Sequence, residues 1–375
     1  MALALRSYPV VDGKFLMGGM LLSTARALFP GAMGPEGFIS CFDHLIPEAK
    51  LRRMLILKGG PGVGKSTFMR RIHALLSSRG EETTLYFCSG DPGSLDAVAA
   101  QQAGILILDG TAPHIVDPII PGARDSLINL GVCLDEAAMR PRLEHIRACM
   151  ADHAVCSQRA RAYMRAAWAL RRDSAAALAA CTDQAHWMRM QSALIAAVLQ
   201  AEGEKSAAPS VRPVITDAVT PKGELCLLAS DADTRVIRLG RHYAMDLTPV
   251  LRALSRAAQA AGYDVEEHLS PMSPGSLLHL TIPALHTLVT TNDTLPCEQT
   301  FDFAACVPAA SLLRRECALA QSRADIVRHM QHAAGAMAQA KQLHDELETF
   351  YVPNMDFAKW QALLEETIDS LKEEP

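Results

Sequence analysis

The sequence has no strong charge of either sign, no long apolar run, no paired cysteine spacing and no leader pattern. Each lack removes a class of protein. Its 36 Lys and Arg stand against 41 Asp and Glu, a formal charge of −5 over 375 residues. That balance gives no global reason to expect a nucleic-acid or membrane partner. No stretch approaches the ~20 uninterrupted apolar residues of a membrane span. Phe15 to Phe29 is fairly apolar, but Arg26 interrupts it and no charged-then-apolar order precedes a cleavage site. The ten cysteines show no C-x-x-C spacing, so neither a zinc site nor a redox motif is visible. Buried thiols in a reducing cytoplasm are the expectation. The 49% hydrophobic and 21% charged content suits a soluble globular protein, with length for two or three domains.

Against these absences stands one motif. Gly59-Gly60-Pro61-Gly62-Val63-Gly64-Lys65-Ser66 satisfies G-x-x-x-x-G-K-[ST] at every required position. Met54 to Leu57 before it reads as a buried parallel strand, and Phe68 to Arg79 after it as a helix closed by Gly80. The glycines let the backbone curl so that successive N–H groups point inward. A helix start adds unpaired donors and a positive dipole end. The expected ligand is a nucleoside triphosphate, ATP with Mg²⁺. The loop from Gly59 to Thr67 would cradle the phosphates, Lys65 would reach the β- and γ-phosphates, and Ser66 would ligate the metal. The bland alternative is a glycine-rich turn that binds nothing. It has to account for eight positions in register with the right flanks.

Thr83 to Cys88 reads as a second strand running into the polar loop Ser89 to Asp96. Ligands collect at the carboxyl ends of strands in an open parallel sheet, so Asp91 and Asp96 are candidates for metal, substrate or attacking-water contacts. The competing role is capping of a following helix, which suits Asp96 better. The apolar run Ile105 to Leu108 delivers Asp109, as a phosphate-loop NTPase delivers an Asp to its Mg²⁺ shell. Gly110 stands where many ATP-driven motors carry Glu, which argues against a fast motor. In the run Thr111-Ala112-Pro113-His114, His114 is a candidate to face the γ-phosphate, and a structural His is the competing reading. Asp91 and His114 are the candidates for orienting water.

The chain then repeats itself. Arg212 to Gly223 echoes Arg26 to Gly37. Gly262 lies opposite Gly80, and Pro274-Gly275-Ser276-Leu277 opposite Pro92-Gly93-Ser94-Leu95, both at an offset of 182 residues. The second copy reads Leu239-Gly240-Arg241-His242-Tyr243-Ala244-Met245-Asp246-Leu247 where the phosphate loop should be. Leu247 replaces Lys65, Asp246 brings negative charge, and Thr291 replaces Asp109. A fold survives such changes, whereas binding of a triphosphate does not, so the second lobe is expected to be structural or regulatory. Arg238 and Arg241 are candidates to reach the active γ-phosphate, with a solvated surface role competing. An alanine-rich helical segment follows each lobe, read as a projecting helical hairpin that contacts a protein partner. Arg159, Arg161, Arg165, Arg171 and Arg172 near Trp168 read as a solvated helix face rather than a nucleic-acid surface. The expected layout is an extension over 1–25, a phosphate-loop lobe over 26–134 and a helical arm over 135–205. A degenerate lobe over 206–305 and a C-terminal arm over 306–375 follow. The fold class is α/β, with duplicated parallel-sheet lobes.

Leu28-Phe29-Pro30-Gly31, Pro35-Glu36-Gly37-Phe38, Leu57 to Ser66, Cys88-Ser89, Ser94-Leu95-Asp96, Asp109-Gly110-Thr111-Ala112-Pro113-His114 and Ile128-Asn129-Leu130-Gly131 carry a resemblance. The chain resembles a group of largely uncharacterised bacterial ATP-binding proteins, usually labelled ATPase or nucleotide kinase. The likeness covers nearly the whole chain after Arg26. It implies a two-lobed protein whose second lobe often keeps its own phosphate loop, and this sequence departs there. The expected function is Mg²⁺-dependent ATP hydrolysis at a single site in the first lobe, coupled to a partner or a conformational change. One alternative is a kinase that passes the γ-phosphoryl group to a nucleotide or small molecule. Another is a nucleotide-gated binding protein with little turnover. AAA-type motors are disfavoured because no Asp-Glu pair stands on the Asp109 strand, and ABC-type ATPases because no Leu-Ser-Gly-Gly signature occurs.

Overall fold

The computed structural model describes residues 25–112, 114–273 and 275–372, and before them the strand backbones Val10–Val11, Lys14–Met17 and Met20–Leu22. The expected N-terminal extension lies almost wholly outside the fully described residues, and so do Pro113 and Pro274 of the motifs above.

The first lobe is a six-stranded sheet of β1 (Arg26–Leu28), β2 (Arg53–Lys58), β3 (Thr83–Phe87), β4 (Leu95–Ala100), β5 (Ile105–Asp109) and β6 (Asp125–Asn129), with α1 (Lys65–Ser78) packed on it. The spatial order is β6-β2-β5-β4-β3-β1. The sheet is mixed, which corrects the expectation of a parallel one: β4 runs antiparallel to both its neighbours, while the other pairs are parallel. Nor does a helix follow Asp96, because that residue lies within β4. The physical reason is reach. The turn from β3 to β4 is too short for a parallel crossover, which takes a dozen or more residues, and suffices for a hairpin.

After the helices α2 (Leu143–Ala179) and α3 (Gln184–Val198), the second lobe repeats this pattern. It comprises β7 (Val211–Val214), β8 (Arg235–Gly240), α4 (Thr248–Ala260), β9 (Val265–Leu269), β10 (Leu277–Ile282), β11 (Thr287–Thr290) and β12 (Gln299–Asp302). Its order, β12-β8-β11-β10-β9-β7, is the first sheet element for element, again with one antiparallel strand fourth in line. Individual bonds repeat too. Ser66 Oγ accepts from the Leu95 amide at 3.0 Å, and Thr248 Oγ1 accepts from the Leu277 amide at 3.0 Å. Arg70 donates to the Gly93 carbonyl at 2.6 Å, and Arg252 to the Gly275 carbonyl at 2.7 Å.

The lobes meet through equivalent residues. The Phe29 amide donates to the Ile215 carbonyl at 2.9 Å in an antiparallel bridge. Beside it, the buried Glu266 carboxylate takes the guanidinium groups of Arg26 from the first lobe and Arg212 from its own.

The arms are not projecting hairpins. α2 and α5 (Ala309–Tyr351) lie side by side and antiparallel, with Ala160, Met164 and Ala167 against Ile326, Met330, Ala333 and Met337. Small side chains on both faces permit that close approach. Beyond them the helices exchange lobes. α3 seats Leu194 and Val198 in the second lobe's core, and α6 (Phe357–Lys372) seats Leu364 and Leu371 in the first lobe's core. Matching hydrogen bonds fix the two junctions: Asp356 N to Cys133 O and Asp183 N to Cys306 O, each 2.7 Å. Among the described residues no helix is long and apolar enough to cross a membrane.

Candidate functional site

The glycine-rich run leaves the end of β2 and enters α1, as its sequence requires. Gly62 and Gly64 take φ of 69° and 83°, left-handed backbone that favours glycine. Among the described residues, the amides of Gly60 and of the residues from Gly62 to Thr67 find no acceptor. A run of unpaired N–H groups around left-handed glycines is geometry of the kind that other proteins use to bind anions. Lys65 folds back over it, donating to the carbonyls of Gly59 and Gly60 at 2.9 Å each, with its Nζ 3.5 Å from Asp109 Oδ2. Val63 anchors the loop from below, fully buried against the core. Pro61 is half-buried, and Thr67 is exposed.

Asp109 closes β5 beside β2, so the parallel register carries it to the loop. Its Oδ1 accepts from the Thr111 amide at 2.8 Å and hydroxyl at 2.5 Å, which fixes the carboxylate. Gly110 follows because a Cβ there would meet Ile56 Cγ2 at 2.4 Å; a glutamate has no room. The Ser66 hydroxyl, already accepting from Leu95, and the Asp109 carboxylate are hard oxygen donors of the kind that hold Mg²⁺.

The remaining candidates are placed unequally. Asp91 is occupied: it accepts from Ser94 Oγ at 2.9 Å and lies 3.5 Å from Lys341 of α5. His114 is packed between Phe38 and Phe42, at centroid distances of 4.6 and 4.8 Å, and burial lowers its pKa. Its Nδ1 has no partner, and its Nε2 lies 3.7 Å from Asp96. Asp96 is a buried carboxyl, pushed up to about 7 by burial and then by the charge of Asp109. It is a strand residue rather than the helix cap that its sequence suggests. Arg238 donates to the Leu295 carbonyl, and Arg241 lines a cavity of the second lobe.

Sequence reasoning also missed what covers the loop. A Cβ on Gly60 would meet the Tyr351 ring at 2.7 Å, one on Gly62 would meet Val352 at 2.8 Å, and one on Gly64 would meet Trp360 Nε1 at 3.0 Å. The glycines are therefore also the surface on which the C-terminal arm rests. Two further donor sets have ligand atoms within 4.8 Å of one another: His344, Asp345 and Glu348 on α5, and Asp217, Cys226 and His279 in the second lobe. The second set is satisfied without an ion, since His279 bonds Asp217 at 3.1 Å and Thr290 at 2.7 Å. No protein-family model, curated protein or solved structure matches the chain.

Proposed function

We propose that the first lobe binds a nucleoside triphosphate, ATP, as its Mg²⁺ complex and hydrolyses it. The observation that carries this reading is the run of unpaired amides between β2 and α1, with Lys65 and Asp109 3.5 Å apart at its rim. Unpaired donors on this scale are costly unless water or an anion takes them, and phosphate oxygens are acceptors of that kind. Mg²⁺, when bound, neutralises phosphate charge. Ser66 and Asp109 are the residues that would hold it. Lys65 would trade its two carbonyl acceptors for phosphate oxygens. The loop amides would stabilise charge that develops during transfer to water, at no reorganisation cost because the loop already has its shape. A cytoplasmic setting supplies ATP and keeps the cysteines reduced.

A second reading, a nucleotide-gated switch with slow turnover, is favoured by one specific contact. Tyr351, Val352 and Trp360 press on the same three glycines that would hold phosphate. Nucleotide binding would then be felt directly by the arm.

The test is phosphate release from Mg·ATP, with binding of radiolabelled ATP, by the protein and by Lys65→Ala. Turnover that falls by about 10²–10³ in the variant supports hydrolysis. Binding with no turnover selects the switch. Failure of the wild-type protein to bind ATP would sink both readings.

A further inference from the structure

The second lobe contains a cavity of about 80 Å³ at the position its vanished phosphate loop would occupy. At the 182-residue offset, Arg241 stands for Gly59. Asp91, Asp96 and Asp109 of the first site become Ser273, Leu278 and Thr291, all three lining the cavity. The second site has therefore lost every carboxylate that could hold a metal ion in the first. It has gained cations instead. Arg171 and Arg172 reach its wall from α2, the arm of the first lobe, and meet Arg241 there.

These three guanidiniums are opposed by carboxylates only at a distance, Arg171 by Glu224 and Arg241 by Asp246, Asp293 and Asp217, and Arg172 is exposed to solvent. Among the described residues none of them has a carboxylate within 4 Å. Arg241 donates only to the carbonyls of Tyr243 and Met245, at 3.4 and 3.3 Å, both long. Arg172 rests on the Trp168 ring, its guanidinium carbon 5.0 Å from the centroid. Burial, and next the like charge of Arg171, push Arg241 down to about 10. Asp246 at the mouth is tied to the Thr248 amide at 2.9 Å, and the start of α4 is closed by bonds from Val250 and Leu251 to the Leu247 carbonyl. Helix amides therefore supply little, and guanidiniums supply the anion-binding chemistry. The hydroxyls of Ser273 and Ser276, bonded to each other at 2.9 Å, also line the cavity, and one of them keeps a free donor.

We propose that this cavity is a metal-independent site for a phosphate group, either free orthophosphate or the phosphate of a small monoester. Arginine suits that role because its planar donors match phosphate oxygens in pairs. The volume admits one such group. Because Arg171 belongs to one half of the chain and Arg241 to the other, the ligand would also bridge the arm to the second lobe.

The test is calorimetric titration of the full chain with orthophosphate and with phenyl phosphate, in EDTA and at constant ionic strength. Saturable binding is expected in the wild-type protein and, within twofold, in Lys65→Ala. It should weaken at least tenfold in Arg171→Gln and in Arg241→Gln. Arg171 is half-exposed on the arm, so its variant keeps the test decisive if Arg241→Gln unfolds. Tighter binding of phenyl phosphate identifies a monoester as the ligand class, and tighter binding of orthophosphate identifies the free ion. No saturable binding by the wild-type protein, or binding that survives Arg171→Gln but disappears in Lys65→Ala, overturns the proposal. The EDTA and the Lys65 variant keep this outcome separate from failure of the ATP reading.

Discussion

His268 sits in the second sheet with its ring nitrogens bonded to Thr216 Oγ1 at 3.2 Å and Thr281 Oγ1 at 2.9 Å. Burial, reinforced by neighbouring His279, pushes it down to about 3. A base whose folded pKa is depressed binds fewer protons folded than unfolded. Its contribution is thus complete above the ordinary histidine pKa near 6.5 and is lost as pH falls from there toward 3, at up to about 1.4 kcal/mol per pH unit. His268→Gln keeps a donor and an acceptor but no titration. Its melting temperature is expected to decline less than the wild type's between pH 6.5 and 4, in parallel thermal melts. Glu266 acts in the same direction at lower pH. Burial alone would raise its pKa, but the hydrogen bond and charge of Arg26 and the charge of Arg212 outweigh burial and hold it well below the ordinary range. Its contribution is present above about 4.5 and lost below. Glu266→Gln strands two guanidiniums and is expected to cost on the order of 2–4 kcal/mol in denaturant unfolding at pH 7. Arg26, partly exposed, keeps the figure below that of a wholly buried pair.

At the scale of elements, α6 ties the glycine-rich loop to the C-terminal arm. Trp360 meets Gly64 with its indole nitrogen, which has no hydrogen-bond partner, and packs edge-on against Phe68 at 5.7 Å. With Trp168 and Trp187 replaced by Phe, the emission of Trp360 is expected to change on addition of Mg·ATP and to stay unchanged in the same background carrying Lys65→Ala. A spectrum indifferent to nucleotide in both proteins would separate the arm from the site. Much of this region was legible in the residues. The loop, β2, β5 and the duplication follow from glycine spacing, apolar runs and a constant offset. The antiparallel β4 was not, because Leu95 to Ala100 is short and its alanines leave strand and helix signals equal in strength. Nor was the docking of α3 and α6. An amphipathic helix declares that it has an apolar face, and only tertiary packing decides which core receives it.

For the molecule as a whole, neither half owns a complete lobe. The first lobe's core includes Leu364 and Leu371 from the far end of the chain, and the second's includes Leu178, Leu194 and Val198 from before its first strand. Residues 1–205 and 206–375 expressed separately are expected to lack a cooperative thermal transition, and when expressed together to associate one to one and recover it. Light scattering and calorimetry read both points. Independent folding of either fragment would show that the exchanged helices are dispensable.

The bridge between Phe29 and Ile215 has a consequence for descent. When a position pairs with its own duplicate, and each half lends its last helix to the other, the two halves stand as the subunits of a twofold homodimer would. A subunit of such a dimer cannot lose its glycine-rich loop without both copies losing it. Once the halves share one reading frame, one copy can keep Lys65 while the other accumulates arginines, and selection acts on each separately.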